Sequence, residues 1–178
     1  MLADASPSLL VTMSGYSLEP SHKHIEQTDL LELLQQPAHS YDGEQGSDED
    51  DLLLVYTSGS TGRPKGAVHS QAAVWANVLQ SDAMHGFNPN GKQDRVLTIL
   101  PMFHVGGLCI QTLAALLYGA QVRIVTVFQP QVVADLHKNF NPTLILHVPA
   151  TLKAMLSLPD WPDLDLGDLR AVSIGSTD

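Results

Sequence analysis

From Leu52 onward, short apolar runs alternate with segments of helical pattern, and this alternation narrows the fold more than any other feature. Leu52-Leu53-Leu54-Val55-Tyr56 has no charged residue, the pattern of a strand buried on both faces. Arg95 to Leu100, Gln121 to Val127, Thr143 to His147 and Leu169 to Ile174 read as further strands. Between them, Ser70 is placed to cap a helix running to about Met84. Val105 to Tyr118 reads as a buried helix stopped by Gly119. Pro130 to Asn139 reads as a helix with proline at its start, and Ala150 to Leu156 as a short helix. Strands separated by helices predict an α/β chain with parallel or mixed sheets flanked by helices. A ligand site is then expected beyond the carboxyl ends of the strands.

Of the 178 residues, 44% are hydrophobic and 16% charged, a globular balance. Residues 1–51 hold eleven acids against one base, Lys23, a net of −10. Residues 52–178 hold eight of each and are balanced. The run Asp48-Glu49-Asp50-Asp51 reads as a solvated linker. The chain therefore divides into an acidic lead-in, 1–51, and a core, 52–178. In the lead-in, Leu9 to Met13 reads as a strand and Asp29 to Leu34 as a helix ended by Pro37. No basic stripe exists, so no nucleic-acid partner is expected. The most apolar stretch, Val105 to Leu117, is interrupted by Gln111 and Thr112 and is too short to span a bilayer. The start lacks a basic, then apolar, leader pattern. A cytoplasmic protein is expected, with contact at a membrane surface compatible with the sequence. Cys109 is the single cysteine, which excludes an internal disulfide and a cysteine-built zinc site. It lies in an apolar segment and reads as packing. His22 and His24 form a pair without a third ligand nearby, His69, His85, His137 and His147 read as structural or exposed, and Trp75 reads as core on its helix.

The chemistry concentrates in Tyr56-Thr57-Ser58-Gly59-Ser60-Thr61-Gly62-Arg63-Pro64-Lys65-Gly66. Thr57, Ser58, Ser60 and Thr61 place four hydroxyls within five residues. The glycines let the backbone turn tightly and expose its N–H groups. Lys65 adds a mobile positive charge. This set suits a loop wrapped around a polyphosphate, with hydroxyls and amides donating to its oxygens. It is not the common P-loop, in which Gly-Lys is followed by Ser or Thr and a helix. Here Pro64 precedes Lys65 and Gly66 follows it.

Residues 56–66 resemble, at every fixed position, the signature of the adenylate-forming, or AMP-binding, enzymes. These include acyl-CoA synthetases, aryl-CoA ligases, luciferases and peptide-synthetase adenylation domains. Pro101-Met102-Phe103-His104-Val105-Gly106-Gly107 is similar to a second motif of the family. Val172-Ser173-Ile174-Gly175 is similar to a third, with Ser176 where relatives carry a second glycine. The resemblance covers nearly the whole chain. It implies part of the large N-terminal domain of such an enzyme. It also implies activation of a carboxylic acid, a fatty acid above all, by Mg-ATP, with transfer of the acyl group to CoA. Thr57, Ser58, Gly59, Ser60, Thr61, Gly62, Pro64 and Lys65 would hold the phosphates, Lys65 as a catalytic charge, and Thr57 would stand beside Mg²⁺. His104 would act at the reacting carboxylate, the reading otherwise being a capping or core histidine. Phe103-His104-Val105 lacks the aspartate that amino-acid adenylation domains carry near here, which leaves that subclass as an alternative. A non-catalytic nucleotide-binding remnant is another. Relatives continue into a Tyr-Gly-x-Thr-Glu segment, a ribose-binding aspartate and a small C-terminal domain with a catalytic lysine. The chain is therefore expected to be an internal fragment whose partner is the remainder of a parent chain.

Overall fold

The computed structural model describes residues 1–12, 17, 26–29, 32, 35, 46–57, 62–88 and 91–175. The chain forms two compact units: Met1–Ser47 with Tyr56–Val68, and Asp48–Val55 with His69–Asp178. The first unit opens with a helical turn, Leu2–Ala5, followed by strand β1 (Leu9–Thr12). β1 pairs in parallel with β2 (Glu26–Asp29), Leu9 opposite Glu26 and Thr12 opposite Asp29. The polar composition of Glu26-Gln27-Thr28-Asp29 gave no strand signal, and the helix expected from Asp29 begins no earlier than after β2. Glu32 is helical, as that expectation has it, while Leu30, Leu31, Leu33 and Leu34 lie outside the described residues. His22 and His24 do as well.

β3 (Asp51–Thr57) pairs with β4 (Lys65–Ser70) in a two-stranded sheet. The expectation that β3 is buried on both faces fails, because Leu52 is 56% and Leu54 41% exposed. Burial of both faces needs a layer on each side of a central strand, and a pair of strands has no central member. β4 was not legible either. The loop read over 57–66 is shorter, since Thr57 ends one strand and Lys65 starts the next.

The second unit holds the four-stranded sheet that fulfils the α/β expectation. β5 (Arg95–Thr98), β6 (Gln121–Ile124), β7 (Leu144–His147) and β8 (Ala171–Ile174) run parallel in the order β6-β5-β7-β8. The central strands β5 and β7 carry the buried runs. Successive side chains take opposite faces. Val96 and Leu144 pack with Val78, Ala114 and Ala115, from the helices before β5 and before β6. Leu97 and Ile145 pack with Val133, Ala134 and Met155, from the helices Pro130–Asn139 and Pro149–Leu156. Helices thus cover both faces of the sheet.

The helix Gln71–His85 shows why the acidic run matters structurally. Its first three N–H groups lack partners within the helix. Ser70 Oγ accepts from the Ala73 N–H at 3.3 Å, as its position predicts. The carbonyls of Asp50 and Asp48 accept from Gln71 and Ala72, each at 2.9 Å. The exposed acidic turn therefore completes the cap, and its charge lies at the positive end of the helix. Trp75 on this helix is not core but 53% exposed. Val78, Ser81 and His85 form the buried stripe of the helix, and Trp75, three residues before Val78, stands at its margin.

Candidate active site

In the first unit, β3 delivers Thr57 and β4 begins with Lys65, so the loop expected to hold phosphates connects two paired strands. Thr57 Oγ1 donates to the Lys65 carbonyl over a long 3.4 Å. Gly62 has φ +79° with open space where a Cβ would stand, so the backbone conformation, not crowding, calls for glycine. Pro64 and Lys65 are exposed, open to an approaching anion. Tyr56 Oη donates to Asp4 Oδ2 at 2.6 Å, which ties the root of the loop to the start of the chain. That hydrogen bond, with the carboxylate charge behind it, raises the phenol above its ordinary value. Ser58, Gly59, Ser60 and Thr61 lie outside the described residues.

In the second unit, a cavity of about 650 Å³ opens at the carboxyl ends of the parallel strands. Ile99 and Leu100 follow β5, Val125 and Phe128 follow β6, Val148 follows β7 and Gly175 follows β8. This is where a parallel sheet places ligands. The lining is apolar except for His104, Thr126 and Thr151. Phe103, 90% exposed, stands on the rim beside His104.

His104 heads a helix of three consecutive pieces: Val105–Gly107, a π turn Leu108–Thr112, and Leu113–Leu117. Its Nδ1 accepts the Gly106 N–H at 3.0 Å. In the neutral ring the proton is therefore on Nε2, which leaves a donor for an oxygen of a bound ligand. The capping and the functional readings of His104 are compatible, because each uses a different nitrogen. Gly107 has a separate reason to be glycine. A Cβ there would stand 2.3 Å from the Pro101 carbonyl oxygen and 2.6 Å from that of Leu100. The helix rests directly on the backbone that leads out of β5. Thr112 Oγ1 donates to the Gly107 carbonyl at 2.6 Å and lies 2.7 Å from Thr98 Oγ1, which locks the π turn onto β5.

Four titratable groups outside the cavity lining are buried in the packing of the fold. Cys109 is buried, and burial raises its thiol, as suits a packing residue. His85, His137 and His147 are buried, and burial lowers all three, His147 to about 4. Among the described residues no three His, Cys, Asp or Glu side chains gather as a metal site. No helix among them is long and apolar enough to cross a membrane. Sequence reasoning missed Gln111 and Ser173, which meet beneath the site at 3.2 Å. The available signal was a glutamine inside an apolar helix.

A loop with the expected phosphate-binding signature and a histidine-headed cavity at the end of a parallel sheet are the two features that point to the adenylate-forming class. The chain belongs to the AMP-binding enzyme family, whose description matches residues 1–177. It is 44% identical over 126 residues to the indoleacetate–CoA ligase of Aromatoleum aromaticum, across 71% of this chain and 24% of that protein. It is 35% identical over 130 residues to a feruloyl-CoA synthase of an Amycolatopsis species, across 71% of this chain and 25% of the relative. The O-succinylbenzoate CoA synthetase of Bacillus subtilis, solved with AMP, superposes with a TM-score of 0.79 at 26% identity. That match covers 98% of this chain and 44% of the other. The chain spans about a quarter of the length of these curated relatives.

Proposed function

We propose that this chain carries the phosphate-binding and acid-binding parts of an ATP-dependent ligase that converts a carboxylic acid to its acyl-adenylate and then to a CoA thioester. Residues 52–178 form the nucleotide-binding core and 1–51 its lead-in. The observation that carries the reading is the apolar cavity headed by His104, in a chain with the complete loop signature. An acid enters with its apolar body in the cavity, and His104 Nε2–H donates to a carboxylate oxygen. The carboxylate oxygen attacks the α-phosphorus of ATP, the bond between the α-phosphorus and the bridging oxygen breaks, and pyrophosphate leaves. Charge grows on pyrophosphate, and Lys65 with the loop hydroxyls and amides offsets it. The donor set fits phosphate oxygens: hydroxyls of Thr57, Ser58, Ser60 and Thr61, backbone N–H groups at Gly59 and Gly62, and the Lys65 amine. Mg²⁺, when bound, would neutralise phosphate charge, and Thr57 would offer it an oxygen.

The cavity suits an aromatic acid, as do the names of the relatives, which act on indoleacetate and ferulate. A fatty acid is the second reading, because the lining itself is only apolar. ATP and CoA as co-substrates fit a cytoplasmic setting. The test is acid-dependent exchange of pyrophosphate into ATP by the protein at its full encoded length. Indoleacetate or ferulate is expected to support exchange better than palmitate, and Lys65→Ala to reduce it about 100-fold or more. Exchange with no acid of the panel would refute the ligase; preference for palmitate would transfer the reading to fatty acids.

A further inference from the structure

Gln111 follows Ile110 of the cavity wall in the π turn and is 2% exposed. Its amide nitrogen donates to Ser173 Oγ at 3.2 Å and stands 3.4 Å from His85 Nε2. Burial lowers His85, which favours the neutral ring, and with the ring proton on Nδ1 its Nε2 accepts. Both amide hydrogens are then engaged. The other end of the amide, Oε1, is buried with no partner. A glutamine carbonyl has two lone pairs, and a buried acceptor without a donor forfeits its hydration. Gln111 also lines a void of about 10 Å³. Ile99, Leu100, Gly106 and Leu146 line both this void and the large cavity. The two spaces adjoin, Gln111 lining only the smaller, and one of the residues they share, Gly106, has no side chain. The void is at the lower limit of what holds one water.

We propose that Gln111 is a specificity-determining residue of the acid cavity, its free carbonyl oxygen accepting a hydrogen bond from an N–H or O–H at the far end of the bound acid. The site then selects aryl acids that carry such a donor. This rests on the acid-binding reading above. A site built to pair with a donor rejects the analogue that lacks it, because its own polar group stays unpaired. One apolar cavity alone discriminates far less between isosteres.

The experiment compares indoleacetate with its benzothiophene isostere, in which sulfur replaces the ring N–H. Dissociation constants are measured by calorimetry on the protein at its full encoded length. Wild type is expected to bind indoleacetate at least about tenfold more tightly. Gln111→Leu is expected to erase that gap by weakening indoleacetate alone. Equal affinity of the two acids for wild type overturns the proposal and leaves the ligase reading standing. So does a gap that survives Gln111→Leu, which would belong to an ordered water or another group. Binding of neither acid overturns the proposal and the aromatic-acid reading, and the exchange panel then decides the ligase. Because Gln111→Leu also strips partners from Ser173 and His85, a readout on unaltered protein stands beside it. The side-chain carbonyl carbon resonance of Gln111 is expected to shift with indoleacetate and not with the isostere, and an unmoved resonance overturns the proposal.

Discussion

At the scale of single residues, three positions separate structural from chemical necessity. His104 both caps its helix and offers a donor. Asparagine also caps well. His104→Asn is therefore expected to keep stability within about 0.5 kcal/mol while acid-dependent pyrophosphate exchange falls at least about 100-fold. Parallel losses in denaturation and exchange would mean that the histidine only caps. Gly107 and Gly119 make the complementary case. At Gly107 a Cβ meets two backbone oxygens inside 2.7 Å, which cannot rotate away. Gly119 has φ +73° and open space. Gly107→Ala is expected to cost about 3 kcal/mol and Gly119→Ala about 1 kcal/mol, measured by urea unfolding. Equal costs would sink the distinction. The motif made His104 legible from sequence, because its residues recur as a unit. The reason for Gly107 was not legible, because the oxygens it approaches belong to a turn whose path the sequence does not show.

At the scale of elements, β5 and β7 and the helices around them were readable because burial on both faces leaves a uniform apolar run. β3 carries the same run without the same burial, since composition reports what a strand can bury and not what covers it. β2 and β4 were invisible for the opposite reason: Glu26-Gln27-Thr28-Asp29 and Lys65-Gly66 are held by pairing to a neighbour rather than by apolar content. The end of β7 shows what pairing of elements does to a charge. His147 is 3% exposed, and burial, then the positive charge of nearby His137, lowers it to about 4 from 6.5. Between those values the unfolded chain binds more protons than the folded one, so stability falls as pH falls. The full gap corresponds to roughly 3 kcal/mol, of which about 2 kcal/mol is lost between pH 7.5 and 5. Urea unfolding at the two pH values measures it. His147→Gln is expected to flatten the dependence by half or more, and an unchanged slope would place the acid sensitivity elsewhere.

At the scale of the whole sheet-bearing unit, its amino-terminal edge carries two ion pairs, Arg95 with Asp168 and the more buried Arg170 with Asp94, the latter joining residues 76 apart in sequence. Asp94, 2% exposed, accepts from Arg170 Nη2 at 2.7 Å and Nε at 3.0 Å. It also accepts from Thr143 Oγ1 and from the Asn88 N–H, each at 2.6 Å. Arg170 further donates to the carbonyls of His85 and Gly86. The strand-bearing segments and the end of the Gln71–His85 helix thus converge on one carboxylate. Burial alone would push that carboxyl up, but Arg170, Thr143 and the Asn88 N–H outweigh it and hold Asp94 below its ordinary value. Its contribution is present at neutral pH and is lost as pH falls through the lowered value. Removing Arg170 leaves a buried charge with neutral partners only, and the same burial then raises Asp94 instead. Arg170→Met is expected to cost about 3 kcal/mol at pH 7. That deficit is expected to narrow toward pH 4, because protonation relieves the stranded charge in the variant. Part of any narrowing also comes from His85, which Arg170 lowers. The double variant Asp94→Asn with Arg170→Met separates the two, since its carboxylate is gone and only the His85 part remains. A double variant more stable at pH 7 than Arg170→Met alone, with a flatter pH profile, is the expected outcome in urea unfolding. Additive losses at every pH would mean that the edge is held by packing rather than by the pair.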